Sequence, residues 1–246
     1  MFVPSEGQEE AVRCLAVASF AAPGGSSNGM SARGGGLVAC GMDNGSVGIW
    51  DCVTWACISE TALPSVPIAL LWRVAACVPG APAALFCASS DSSDILMLLP
   101  NPSAGPLSGP LPWNVHRLQG AAADGTDGFP LCLCWMQGLL CVGTNDGIVQ
   151  VWDTLSYTVT ARLRHVGAVY CIASADDAPA ENNPTQPADG DARNLLLSTT
   201  AEGIWVWRCS QRGWYVATRV DIHPEQTPTC LCWAPWSHQP ARQKVT

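Results

Sequence analysis

The chain has 246 residues, 48% of them hydrophobic and only 13% charged, which is enough apolar material for a substantial core and too little charge for a chain that stays unfolded. A formal net charge of −8 and a pI near 4.8 exclude direct nucleic-acid binding as the expectation, because neutralising a phosphate backbone needs a dense basic surface. Glu6, Glu9 and Glu10 stand where a secretory leader would be basic and then apolar, and runs such as Ile68 to Trp72 are too short to cross a bilayer, so neither export nor membrane insertion is expected.

In chain order, the first predicted unit opens with a short apolar strand at Val12–Val17 and continues, after a Gly- and Ser-rich insertion from Ala21 to Gly36, into Val38–Cys40, the turn Met42-Asp43-Asn44-Gly45, and Val47–Trp50. Asn and Gly tolerate the positive φ of a tight hairpin, which β-branched residues do not. An outer strand is expected from Trp55 to Glu60. The second unit repeats the plan with Pro67–Trp72, Leu85–Ser89 and Ile95–Leu98, then an outer strand at Trp113–Leu118 after an insertion from Pro100 to Pro112 that holds five prolines. The third has Pro130–Trp135, Leu139–Thr144, the turn Asn145-Asp146-Gly147, Ile148–Trp152 and an outer strand at Tyr157–Leu163. Within it, Ile148, Gln150 and Trp152 share one strand face and Val149 and Val151 the other, a period of two that is apolar on both sides. Such a strand belongs inside a stack of sheets. The fourth unit runs through Val169–Ala173, an acidic insertion to Asn194, then Leu195–Thr200, Gly203–Trp207 and an outer strand at Trp214–Val220, and Pro228–Trp233 begins a fifth.

Anchor positions 50, 98, 152 and 207 are separated by 48, 54 and 55 residues, a repeat somewhat longer than the ~40 to 45 residues of a lean WD repeat. The strand, Asp/Asn-Gly turn, strand and Trp-Asp ending of Leu139–Asp153, echoed at Val38–Asp51, resembles the core of that repeat, and the chain is identified as similar to the WD-repeat, G-protein β-subunit-like family. The resemblance implies an all-β propeller in which each unit is a four-stranded blade: blade one about 11–62, blade two about 66–119, blade three about 129–164, blade four about 165–221 and a partial fifth at 227–246. It also implies a buried set of a His before the first strand, a Ser or Thr on the second, an Asp at the turn and the Trp of the third, which fixes blade geometry because an unpartnered buried polar group is costly. His165, Ser198, Glu202 in place of Asp, and Trp207 match it best; Asp146 and Trp152 are the blade-three members and Trp50 the blade-one member. Val142 stands at the Ser position in blade three, and Leu98 replaces Trp in blade two.

These residues are expected to be structural, with no catalytic residue, no cofactor and no metal. A His165 base would need an adjacent nucleophile and an orienting acid, and the buried set accounts for Ser198 and Glu202 without chemistry. Cys132-Leu133-Cys134 and Cys230-Leu231-Cys232 could each present two thiolates on one strand face, but Cys14 and Cys171 occupy the same repeat slot, which favours small packing residues over zinc ligands. Gly34-Gly35-Gly36 lacks the Lys of a phosphate loop. Thirteen cysteines without an export signal point to a reducing compartment, hence cytoplasm or nucleus.

Blades one to four and one further strand fall short of the usual ring of about seven. The remainder is expected from a longer chain, a partner or self-association, or else the ring is small. The function expected is a non-catalytic scaffold for protein–protein interaction in a multiprotein assembly, its acidic surface suited to a basic segment of another protein. The competing expectation is a propeller enzyme working at the central channel, but the strands offer that channel mostly Ala, Leu, Cys and Val.

Overall fold

A computed structural model describes residues 11–19, 36–73, 83–100, 113–118, 128–174, 195–223, 228 and 230–231. Most of each expected insertion and of the expected partial fifth blade lies outside these residues.

The first sheet contains β1 (Val12–Ser19), β2 (Gly36–Met42), β3 (Ser46–Asp51) and β4 (Cys57–Ala62); the second, β5 (Pro67–Arg73), β6 (Ala84–Ser89), β7 (Ile95–Pro100) and β8 (Trp113–Leu118). The third contains β9 (Pro130–Met136), β10 (Leu139–Thr144), β11 (Ile148–Asp153) and β12 (Thr158–Arg164); the fourth, β13 (Cys171–Ser174), β14 (Leu195–Thr200), β15 (Gly203–Ser210) and β16 (Gly213–Asp221). All pairings are antiparallel between strands consecutive in sequence. The inner strands β1, β5, β9 and β13 pack against one another in that order. This is the blade arrangement of a β-propeller, and among the described residues the arc does not close.

The hairpin turns form where the sequence places its glycines. Gly45 and Gly147 each have φ of +85°, and a Cβ at Gly147 would lie 2.6 Å from the Gly167 carbonyl oxygen and 2.8 Å from that of His165, so only glycine fits that turn. Two outer strands begin later than their sequence suggests. Trp55 has φ +56° and Tyr157 φ +54°, both in turns rather than in β4 and β12. The cause is an aspartate at the end of the preceding strand: Asp51 Oδ1 accepts hydrogen bonds from the Val53 and Thr54 N–H groups at 2.8 and 2.7 Å, and Asp153 Oδ1 from that of Leu155 at 2.9 Å. Each carboxylate satisfies turn donors and delays the strand by holding the chain in an Asx-type turn.

The core consists of the seams between blades. Ala39, Val47 and Ile49 of blade one meet Leu70, Trp72, Leu85 and Leu98 of blade two. Phe86, Ile95 and Met97 on the other side of blade two meet Trp135, Leu140, Val142 and Trp152. Val149, Val151 and Met136 of blade three meet Ile172, Leu196 and Trp207. Every interior blade is therefore apolar on both faces, which explains the double-sided pattern of β11, and each fully buried Leu- or Ile-sized side chain contributes about 1.5–3 kcal/mol. Along β16 the burial pattern is exposed at most positions, as expected of an outer edge strand.

Candidate functional site

Blade four holds the most complete polar cluster. The His165 N–H donates to the Gly147 carbonyl at 2.8 Å, anchoring the residue just after β12. Its Nδ1 lies 3.2 Å from the Leu163 carbonyl oxygen, which only accepts, so Nδ1 carries the proton and Nε2 is the acceptor. The Ser198 hydroxyl, 2.7 Å from Nε2, donates to it. The Trp207 indole N–H completes the set, 3.0 Å from Ser198 Oγ and 3.1 Å from His165 Nε2. Burial pushes the imidazole below its ordinary pKa, consistent with the neutral tautomer this network requires.

A serine hydroxyl donating to a histidine Nε2 is also how a nucleophile and its base meet, but the surroundings here deny that chemistry. Ser198 is fully buried, so no substrate reaches its oxygen, and Nδ1 is held by a backbone carbonyl where a triad has a carboxylate. Glu202 does not join the cluster. It is exposed at the β14–β15 turn, 3.5 Å from the Arg219 guanidinium. Arg219 in turn lies over the Trp205 ring at 4.8 Å and pairs with Asp221 at 2.8 Å.

In blade three the remaining predicted residues are divided between separate networks. Asp146 is exposed at the turn, bonded to the Thr144 hydroxyl and accepting from the Gly128 N–H at 3.2 Å. Trp152 is buried, and its indole N–H donates to Gln150 Oε1 at 3.1 Å. Gln150, itself buried, thus does the work that Ser198 and His165 share in blade four. Its place two residues before Trp152 on the same strand face was a visible signal, since a lone polar residue on an apolar face needs a partner there. Trp50 lies flat over Gly48, where an added Cβ would fall 2.0 Å from its ring.

A second set of bonds runs between blades and has no counterpart in the repeat pattern of blade one. The Trp72 indole donates to the Ala16 carbonyl at 3.2 Å, the Trp135 indole to the Trp72 carbonyl at 2.6 Å, and the Ser174 hydroxyl to the Trp135 carbonyl. Each inner strand is in this way tied to the strand before it. At the equivalent position β1 carries Val17, which has no donor.

The inner-strand cysteines Cys14 and Cys132 behave as packing groups. Cys14 pairs across the sheet with Gly41, and Cys132 with Gly143, and each sulfur fills the space a Cβ would take at that glycine, 2.5 Å away. Burial pushes the Cys14 thiol up to about 11 and Cys87 to about 12; burial, then the neighbouring Cys171, drives Cys132 higher still. Thiols held neutral in this way are poor nucleophiles and poor metal ligands. Among the described residues no cluster of His, Cys, Asp and Glu has a metal-binding arrangement.

What the surface does offer is apolar. Val53 and Trp55 at the β3–β4 turn are 48% and 72% exposed, and Leu155 and Tyr157 at the equivalent β11–β12 turn are 71% and 38% exposed. The Asp51 and Asp153 bonds fix the backbone of these turns, so less backbone entropy remains to be lost on binding. A small polar cleft between blades one and two is lined by Ser65, Ser89, Asp91, Ser92 and Arg117.

The geometry defines a class, that of β-propellers present here as four consecutive blades. No family model matches the sequence, and no curated protein matches it. Among solved structures the chain is similar to the computationally designed Ika8 protein at 17% identity and a TM-score of 0.56, over 93% of this chain and 54% of that one. It is also similar to BBS1N in its complex with ARL6DN, at 11% identity and a TM-score of 0.56, over 89% and 57% of the two chains. The Cps50 (Swd1) β-propeller domain of Myceliophteria thermophila follows at 11% and 0.52, over 78% and 53%. Identities this low establish the fold alone. The chain spans about half the length of these structures.

Proposed function

We propose that the protein is a non-catalytic interaction scaffold within a multiprotein assembly of the cytoplasm or nucleus, with its propeller completed by association. The observation that carries this reading is the pair of exposed apolar turns, Val53/Trp55 and Leu155/Tyr157, each fixed by an aspartate on a rigid blade. Preorganised, exposed aromatic anchors are what protein interfaces bury at their centres. The best-formed polar cluster, around His165, is sealed in a seam and serves blade geometry. The net charge of −8 favours a partner with a basic segment, whose approach it accelerates in a salt-dependent way.

Native purification of the endogenous protein, with intact-mass analysis of the complex, tests the proposal. A stoichiometric protein partner is expected, and Trp55→Ser combined with Leu155→Ser is expected to release it without altering the circular dichroism spectrum. Isolation as a lone polypeptide from gently lysed cells would refute the scaffold reading.

A further inference from the structure

The three seams between blades differ in what holds the anchor residue of the third strand. In the seam between blades one and two that residue is Leu98, which has no polar side-chain atom. In the next, the Trp152 indole donates to Gln150 Oε1 at 3.1 Å, a neutral acceptor that does not titrate. Between blades three and four the acceptor is the His165 imidazole, 3.1 Å from the Trp207 indole nitrogen, and imidazole is the side chain that changes charge between about pH 5 and about pH 8. The other histidines among the described residues, His116 and His223, are exposed. His165 is the one set in a seam.

Protonation turns this cluster against itself. Nδ1 already gives its proton to the Leu163 carbonyl, so a second proton enters at Nε2, which receives the Ser198 hydroxyl at 2.7 Å and faces the Trp207 N–H. Once Nε2 donates, the indole N–H opposes another donor. Ser198 can turn to accept from both, but its own proton then finds no acceptor in the cluster. Ser198 is fully buried, and a stranded buried donor is costly.

Charge adds to the conflict. The repeat resemblance places a carboxylate in this set, where it would hold an imidazolium, but Glu202 is exposed at the β14–β15 turn beside Arg219. Asp146, on the β10–β11 turn, is likewise exposed and bonded to Thr144 and Gly128. The remaining charged groups on these elements are cations: Arg164 is exposed, and Arg162 of β12 and Arg208 of β15 are half-buried. The Trp205 ring, 5.4 Å from the imidazole, already carries the Arg219 guanidinium at 4.8 Å. Among the described residues no carboxylate meets the imidazole to offset a buried positive charge.

We propose that His165 is a proton-operated latch: neutral, it binds blade four to blade three, and a proton on Nε2 frees blade four while the other seams hold. Blade four meets blade three through this seam. Detached, it is a lone sheet with an uncovered apolar face, so it opens locally and leaves the other blades folded. Burial lowers the imidazole pKa from its ordinary 6.5, so the opened form takes up the proton first. Opening therefore grows as pH falls below about 6.5, by a factor approaching about ten per pH unit until the lower, folded value is reached. The latch stands apart from the scaffold reading and does not depend on it.

Hydrogen exchange of the full chain provides the test, read by mass spectrometry in steps from about pH 7.5 to about pH 5 and corrected for the intrinsic pH dependence of exchange. Protection of 195–207 in β14 and β15 is expected to fall with that slope, while 139–152 in β10 and β11 stays protected. His165→Gln gives the Trp207 indole the kind of acceptor that Gln150 provides in blade three, and it is expected to flatten the slope. Blade-four protection unchanged down to about pH 5 would overturn the latch, as would an equal loss in all four blades or an undiminished slope in the variant. Should the variant fail to fold, the comparison of blades in the native chain decides alone.

Discussion

Trp152 and Trp50 occupy the same position in their repeats, and replacing each by alanine separates what the seam contributes from what the side chain contributes alone. Trp152 is 1% exposed, packed in the seam with Phe86, Ile95 and Met97, and its removal leaves a cavity between two blades that cannot collapse without moving both sheets. Core Trp→Ala substitutions of this kind cost about 3–5 kcal/mol. Trp152→Ala also leaves the buried Gln150 Oε1 without the indole donor, a loss of about 1–3 kcal/mol. The expected destabilisation is therefore at the upper end, about 4–5 kcal/mol. Trp50 lies over Gly48 and is half-buried, and Trp50→Ala removes partial burial only, about 1–2 kcal/mol. Urea unfolding followed by far-ultraviolet circular dichroism, at concentrations that keep the chain as single copies, measures both, with similar slopes m showing that the unfolded states are comparable. A Trp152→Ala loss below about 1 kcal/mol, or one no larger than that of Trp50→Ala, would refute the seam assignment.

The same unfolding assay checks three further expectations, and a labelling experiment a fourth. Gly143→Ala places a Cβ 2.5 Å from Cys132 Sγ and 2.7 Å from Val169 Cγ1, so a destabilisation of about 1–3 kcal/mol is expected from overpacking, and a neutral substitution would show that the seam has slack. Removing Gln150 by Gln150→Leu strands the Trp152 indole N–H; a loss of about 1–3 kcal/mol is expected, and an unchanged stability would mean that another acceptor takes over. Burial holds His165 below its ordinary pKa of 6.5, so as acid is added the unfolded chain takes up this proton before the folded one. The histidine's stabilising contribution is therefore complete above about 6.5 and declines as pH falls from there toward the lower folded value. The stability difference between the native sequence and His165→Asn should accordingly shrink between about pH 7.5 and about pH 5, and a difference that widened would contradict a neutral buried imidazole. Cys57 is exposed, whereas Cys87 is buried with its thiol pushed up to about 12; iodoacetamide at mildly alkaline pH should alkylate Cys57 in the folded protein and reach Cys87 only after unfolding. Equal labelling of the two would show that the second blade opens readily.

Local chemistry was enough to place the strands and the tight turns of this chain. Alternation along Ile148–Trp152 signals a strand covered on both sides, and Asp146-Gly147 signals a hairpin because positive φ is a property of the residues at the turn itself. The repeat of that pattern at Trp50, Leu98, Trp152 and Trp207 implied a stack of like blades, since no single blade of this kind can bury both its faces. Which polar groups meet was another matter. His165 and Ser198 are 33 residues apart, and the same repeat position that brings them together through a histidine in blade four is served by Gln150 in blade three. Glu202 and Asp146 align with the turn aspartate that the repeat resemblance placed in a buried set, yet both are exposed, Glu202 beside Arg219 and Asp146 on the Gly128 N–H. Trp55 and Tyr157, expected at the start of outer strands, are lifted into turns by Asp51 and Asp153. The exposure of Leu15 and Val17 is invisible in their own sequence, which reads like that of any inner strand. Periodicity reports that a residue is suited to burial, whereas burial itself requires a neighbour, and only the arrangement of the blades in space decides whether that neighbour is there.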